Sequence, residues 1–262
     1  MHTSSLRPIA DLVEGCLEQM SPPHAHQSWM TGIPDLDQLT GGLQAGKLWA
    51  VTGRPGAGKS VLTLGMARNV AIGNGGRAVV LTQRDTPEQQ ARRVLSAEAR
   101  VPLIHLRDGH LTEDDRSRVE AAMTRLHGAD LLIAQASDPV LAALALEGSD
   151  AGPSPHLIVV DAVNVAYPRI GELRELGQLA ESLRCAVVAV LAHVPSRPVQ
   201  ASDEAATLGA DVVLRLDDWS ASERRGGEAD LVVTYHRDGP TAKIDLLNQN
   251  MYARFIPDDR RI

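Results

Sequence analysis

Residues Gly53 to Ser60, reading GRPGAGKS, match the pattern G-x-x-x-x-G-K-[S/T]. Glycines at these positions let a backbone wrap around phosphate oxygens, so that its N–H groups converge on an anion. Lys59 is suited to neutralise β- and γ-phosphates, and Ser60 to offer a hydroxyl oxygen to Mg²⁺. The apolar run LWAVTG (48–53) precedes the loop and a helical stretch follows it, which is the context the motif requires. Gly53, Arg54, Pro55, Gly56, Ala57, Gly58, Lys59 and Ser60 therefore form a candidate cradle for a nucleoside triphosphate. Such a site also needs a carboxylate for the metal's water shell. Asp161 closes the apolar run HLIVVD, at the strand edge where open α/β sheets bind ligands. Either Asp161 holds Mg²⁺ there or it caps the following turn; the run before it favours the metal.

Those residues need a frame. Short apolar runs at 48–53, 78–83, 130–134, 156–162 and 186–193 alternate with helical periodicity at about 60–72, 87–99, 114–127, 138–147 and 171–184. Continuous Val/Leu/Ile runs suit strands buried on both faces, and intervening helices supply the crossovers of a parallel sheet. The last quarter differs. DVVLRL (211–216), ADLVVTYH (229–236) and AKIDLL (242–247) have no helices between them, and HRDGP at 236–240 reads as a turn. The expected fold class is α/β: a mostly parallel central sheet flanked by helices, with an antiparallel C-terminal extension. Residues Ile9, Leu12, Val13, Cys16, Leu17 and Met20 recur at helical spacing before the proline-containing SPPHAHQSW. This predicts an N-terminal arm over 1–30 and one domain over 31–262.

Composition narrows the field. Aromatic residues make up 3% of the chain, so the core must be aliphatic. A net charge of −7 argues against broad electrostatic binding to DNA, although a local basic channel escapes such a sum. Cys16 and Cys185 both lie in apolar contexts and read as reduced, buried thiols. The histidines show no metal-ligand spacing. No apolar stretch reaches the roughly 20 residues of a membrane span, which points to a cytoplasmic protein without a membrane partner.

The segment TGIPDLDQLTGGLQAGKLWAVTGRPGAGKS (31–60) resembles the start of the ATPase domain of DnaB-type replicative helicases. The similarity continues through AVVLTQRDTPEQQARRVLS, LIVVDAVNV, VVAVLAHV, LGADVVLRL and VVTYHRDGP, covering roughly residues 31–256. The resemblance implies a RecA-like P-loop NTPase fold, ATP and Mg²⁺ as cofactors, a homo-oligomer in the form of a hexameric ring, and single-stranded DNA as partner. It gives Asp161 the role of the metal-holding carboxylate. It likens the arm at 6–20 to a linker helix that packs on the adjacent subunit. By the same resemblance His193 stands where the family keeps a γ-phosphate sensor; a histidine bonded to nearby backbone is the other reading. Arg237 in YHRDGP matches an arginine finger that reaches into the next subunit's site, the alternative being a solvated hairpin arginine.

The chain also departs from that pattern. The family's catalytic glutamate falls on Arg84 in TQRD (82–85), and a cation cannot accept a proton from an attacking water. Asp85 is the expected substitute base, if a slip at the strand end brings it in, and Glu88 is a weaker one. The family's lysine partner of the arginine finger is Tyr235 here. The channel-facing segments 166–176 and 194–211 look short and offer Arg169, Arg174 and Arg197 as phosphate contacts. The expected function is a DnaB-like helicase or translocase in DNA replication, hydrolysing ATP at subunit interfaces to act on single-stranded DNA. The alternatives are a degenerate nucleotide-binding assembly or regulatory protein with little hydrolysis, and a RecA-like recombination accessory protein. Arg84 separates the first two.

Overall fold

A computed structural model describes residues 28–147, 152–163, 171–191, 209–218 and 227–258, with the isolated positions 9 and 206. The expected arm helix, Cys16, His193, Arg169 and Arg197 lie outside the described residues.

The described strands are β1 (Ser28–Trp29), β2 (Leu43–Gln44), β3 (Leu48–Gly53), β4 (Arg77–Thr82), β5 (Asp130–Gln135), β6 (Leu157–Val163), β7 (Ala186–Leu191), β8 (Val212–Asp218), β9 (Glu228–His236), β10 (Ala242–Gln249) and β11 (Arg254–Pro257). β1 and β2 form a small antiparallel pair. The others form one sheet in the order β11-β10-β9-β8-β3-β7-β6-β4-β5. From β8 through β5 neighbouring strands run parallel, and β8 to β11 pair antiparallel. The architecture is the one expected from the alternation of apolar runs and helices.

Side-chain alternation along each central strand supplies two cores, one per face. Trp49 and Val51 of β3, Ala78 and Val80 of β4, and Leu157 and Val159 of β6 pack on one side. Leu48 and Ala50, Val79 and Leu81, and Ile158 and Val160 pack on the other. Every residue of β3 and β7 is buried. β5 departs from expectation: as an edge strand it leaves Leu132 43% exposed. Cys185 is buried as foreseen, and desolvation pushes its thiol up to about 12.

The helices are α1 (Pro34–Thr40), α2 (Lys59–Arg68), α3 (Pro87–Ala99), α4 (Leu103–Asp108), α5 (Glu113–Leu126), α6 (Pro139–Leu144) and α7 (Glu172–Leu183). Helix α2 continues into a π-helical turn over Asn69–Gly73. Helix α3 has the clearest local cause. Thr86 accepts from the Gln89 amide at 3.3 Å while the Gln89 side chain takes the Thr86 N–H at 2.8 Å, and Pro87 pre-sets the first turn. Helix α7 turns Leu173, Leu176, Leu179 and Ala180 onto the second core. Helix α6 is shorter than the periodicity over 138–147 suggests, and Asp138 caps it. Helices α1 and α4, the β1–β2 pair and β11 were not foreseen, being two to seven residues long. Segments of that length show less than two turns of helical period or too little alternation to be recognised.

Candidate functional site

β3 delivers the phosphate loop to the carboxyl edge of the sheet. Its last residue, Gly53, has φ +146°, and a Cβ there would lie 2.4 Å from the Leu216 carbonyl oxygen of β8. No side chain fits, so the loop leaves the sheet hugging its neighbour. Gly58, with φ +91°, turns the chain into α2, and the Phe255 ring lies 2.8 Å from where its Cβ would sit. Phe255, the chain's single phenylalanine, thus braces the loop from β11. Inside the loop, Lys59 Nζ donates to the carbonyls of Gly53 at 2.9 Å and Arg54 at 3.0 Å. This leaves the third N–H free for an anion.

The loop opens onto a cleft of about 360 Å³ whose lining includes Lys59, Ser60, Arg84, Asp85, Arg93 and Asp161. Asp161 is brought in by β6, where it pairs with Thr82 of β4 and Val190 of β7. Immediately after it the register shifts between Asp161 and Val163, and Ala162 adopts φ +87°. A non-glycine residue in that region stores strain, and such bulges re-aim side chains beside functional sites. The Ser60 hydroxyl donates to the Asp161 carboxylate. Burial raises the Asp161 pKa above the usual carboxylate range; the Ser60 bond opposes the shift, Asp85 adds to it, and Lys59 and Arg93 oppose it. Burial lowers the Lys59 pKa, with Asp161 opposing and Arg84 adding to the effect. A buried carboxylate beside a hydroxyl fits Mg²⁺, which takes one or two protein oxygens and completes its shell from phosphates and water. Lys59, Ser60 and the Asp161 carboxylate are therefore the residues suited to hold a metal–triphosphate.

The segment after β4 resolves the question of the substitute base in part. Ordinary strand alternation would send Arg84 and Asp85 to opposite faces. β4 ends at Thr82, however, and residues 83–85 bend, so both side chains line the cleft. Asp85 is already engaged. Its Oδ2 accepts from Arg93 Nη1 and, at 3.1 Å, from Gln90 Nε2, while Oδ1 accepts from Arg93 Nη2 at 3.3 Å. Arg93 and Gln90, on the face of α3 turned to the cleft, are the residues the sequence reading missed. Their spacing from Asp85 has meaning only once α3 folds back over the strand edge. Glu88, the weaker candidate, is exposed in the first turn of α3 and is not among the residues lining the cleft.

Arg237 lies elsewhere. β3 pairs with β8 from Trp49–Val212 to Gly53–Leu216, and β8 pairs with β9 at Val212–His236. Arg237 therefore sits at the starting edge of β3, while the phosphate loop leaves its far end, about 15 Å away at 3.3 Å per residue. Its guanidinium is 46% exposed, bonded to Asp211 at 2.9 Å and to Tyr235. Asp211 also accepts from the Leu48 amide at 2.9 Å and pairs with Lys47 at 3.4 Å. Arg237 does not reach the cleft of its own subunit.

Arg174 is exposed near the start of α7. Among the described residues no helix is long and apolar enough to cross a membrane, and no group of three or more His, Cys, Asp and Glu forms a ready metal cage.

Known proteins match this arrangement. The model of the DnaB-like helicase C-terminal domain family matches residues 29–257. The replicative DNA helicase DnaB of Leifsonia xyli subsp. xyli is 31% identical over 95% of this chain and 61% of its own length. The replicative DNA helicase DnaC of Bacillus subtilis is 25% identical over 99% of this chain and 64% of its own. The chain thus spans less than two thirds of these relatives. Among solved structures, a helicase-like ATPase domain superposes with a TM-score of 0.80 at 15% identity, covering 97% of this chain and all of that one. A DnaB-like replicative helicase, described with its interactions with primase, also gives 0.80 at 15% identity, over 96% of this chain and 67% of its own.

Proposed function

We propose that this chain, which belongs to the DnaB-like helicase C-terminal domain family, binds ATP and Mg²⁺ in the cleft beside its phosphate loop. It hydrolyses ATP at subunit interfaces of a hexameric ring to drive movement along single-stranded DNA in replication. The observation that carries the reading is the convergence of Lys59, Ser60 and Asp161 at the carboxyl edge of the sheet. Loop amides and Lys59 bind the phosphates, while Ser60 and Asp161 hold Mg²⁺. Bound Mg²⁺ supplies positive charge that offsets the phosphate oxygens. Asp85 accepts a proton from the attacking water once its bonds to Arg93 and Gln90 loosen. The position of Arg237, far from its own cleft and partly exposed, supports action in trans, where a guanidinium offsets charge on the transferring phosphoryl group. His193 as phosphate sensor rests on the family pattern.

A second reading has its own observation. Arg84 lines the cleft and Asp85 is engaged by two partners, which favours a nucleotide-held switch with slow turnover. ATPase rate with and without single-stranded DNA separates the two. The motor reading expects DNA-stimulated turnover well above that of Lys59→Ala. A rate no higher than that variant's refutes it.

A further inference from the structure

The cleft carries more positive charge than a phosphate loop requires. Lys59, Arg84 and Arg93 line it against the carboxylates of Asp85 and Asp161. Arg93 has its counter-charge, since its guanidinium grips Asp85 at both oxygens. Arg84 does not. It is exposed, and among the described residues it makes no ion pair or hydrogen bond. The charge it acts upon is the like charge of Lys59. Two cations lining one cleft repel each other until an anion comes between them.

Position indicates which anion. The loop follows β3, whereas Arg84 follows β4, with β7 and β6 lying between those strands. Three strand spacings amount to about 14 Å at the sheet, so Arg84 faces the loop from the far wall, beyond Asp161. Loop amides and Lys59 hold the inner phosphates, and a diphosphate ends near them. A triphosphate extends by one phosphoryl group toward Asp161 and the far wall. The geometry points to Arg84 as a specificity-determining residue that binds the terminal phosphoryl group from within the same subunit and makes the site discriminate nucleoside triphosphates from diphosphates. This rests on the cleft being the nucleotide site. It gives the cation at position 84 a positive role: binding the terminal phosphoryl group favours the triphosphate-bound state, whatever the rate of turnover. A guanidinium suits the task because its fork of donors matches phosphate oxygens.

Calorimetric titration of the full chain with Mg²⁺–AMP-PNP and Mg²⁺–ADP tests the inference, using wild type, Arg84→Ala and Lys59→Ala. One charge-assisted hydrogen bond corresponds to about a 10- to 100-fold change in affinity. Arg84→Ala is expected to weaken AMP-PNP by that factor and to leave ADP unchanged, so that the preference collapses. Equal weakening of both nucleotides, or no change in either, overturns the assignment. Lys59→Ala is expected to weaken both. If it weakens neither, the phosphate-loop reading itself fails, whatever Arg84 does.

Discussion

Replacing Asp85 with asparagine separates an anchor from a base. The side chain keeps its shape and loses its charge, so the Arg93 guanidinium loses its ionic partner and one oxygen that receives N–H groups becomes an NH₂ group. The pair is half-buried, with side chains 26% and 23% exposed. Its loss should therefore cost more than the roughly 0–1 kcal/mol of an exposed pair and less than the about 3–5 kcal/mol of a fully buried one. A value of about 2 kcal/mol corresponds to a melting temperature lower by about 5 °C for a domain of this size. Arg93→Ala should lower it comparably. The two variants part company in turnover. A positioned base contributes about 10²- to 10⁴-fold, so Asp85→Asn should lose that factor in kcat while nucleotide affinity holds. Arg93→Ala keeps the carboxylate and should lose far less. Melting curves, AMP-PNP titration and steady-state ATPase with single-stranded DNA read all three quantities. Turnover of Asp85→Asn within about twofold of wild type, accompanied by the melting shift, would refute the base and leave Asp85 as the anchor of Arg93.

Asp161→Asn should raise the melting temperature at pH 7 while abolishing turnover. Burial raises the folded-state pKa of Asp161, so its contribution to stability is complete below the unfolded carboxylate pKa and is lost as pH rises through the folded one; melting against pH should be flatter for the variant from pH 4 to 7. Arg237→Ala should change stability by less than about 1 kcal/mol, because the pair with Asp211 is half-exposed. It should cut turnover by about 10³-fold or more, and sizing with Mg²⁺–AMP-PNP should show a ring; a strictly monomeric mass would count against action in trans. Gly53→Ala should destabilise by about 3 kcal/mol or more, since the added Cβ meets the Leu216 carbonyl at 2.4 Å on a backbone at φ +146°. A fold as stable as wild type by denaturant melt would contradict the close approach of the loop to β8.

The amino-acid sequence by itself determined the loop, the sheet and their order. GRPGAGKS can be read without neighbours because its function resides in backbone amides and two side chains within one turn of chain. The apolar runs from Leu48 to Leu191 likewise announce strands buried on both faces, since each run of Val, Leu, Ile and Ala is itself the burial. Tertiary structure decided what those elements bring together. Where β4 stops, at Thr82, sets whether Arg84 and Asp85 oppose each other or share a wall, and a one-residue change in that end-point would reverse the answer. Arg93 and Gln90 meet Asp85 because α3 folds back over the strand edge. Arg237 is excluded from its own cleft by the register that puts it beside Asp211. Local sequence specifies the elements through backbone geometry and burial, whereas charge-on-charge contacts arise between residues far apart in the chain, and only the register and packing of the sheet bring them within reach.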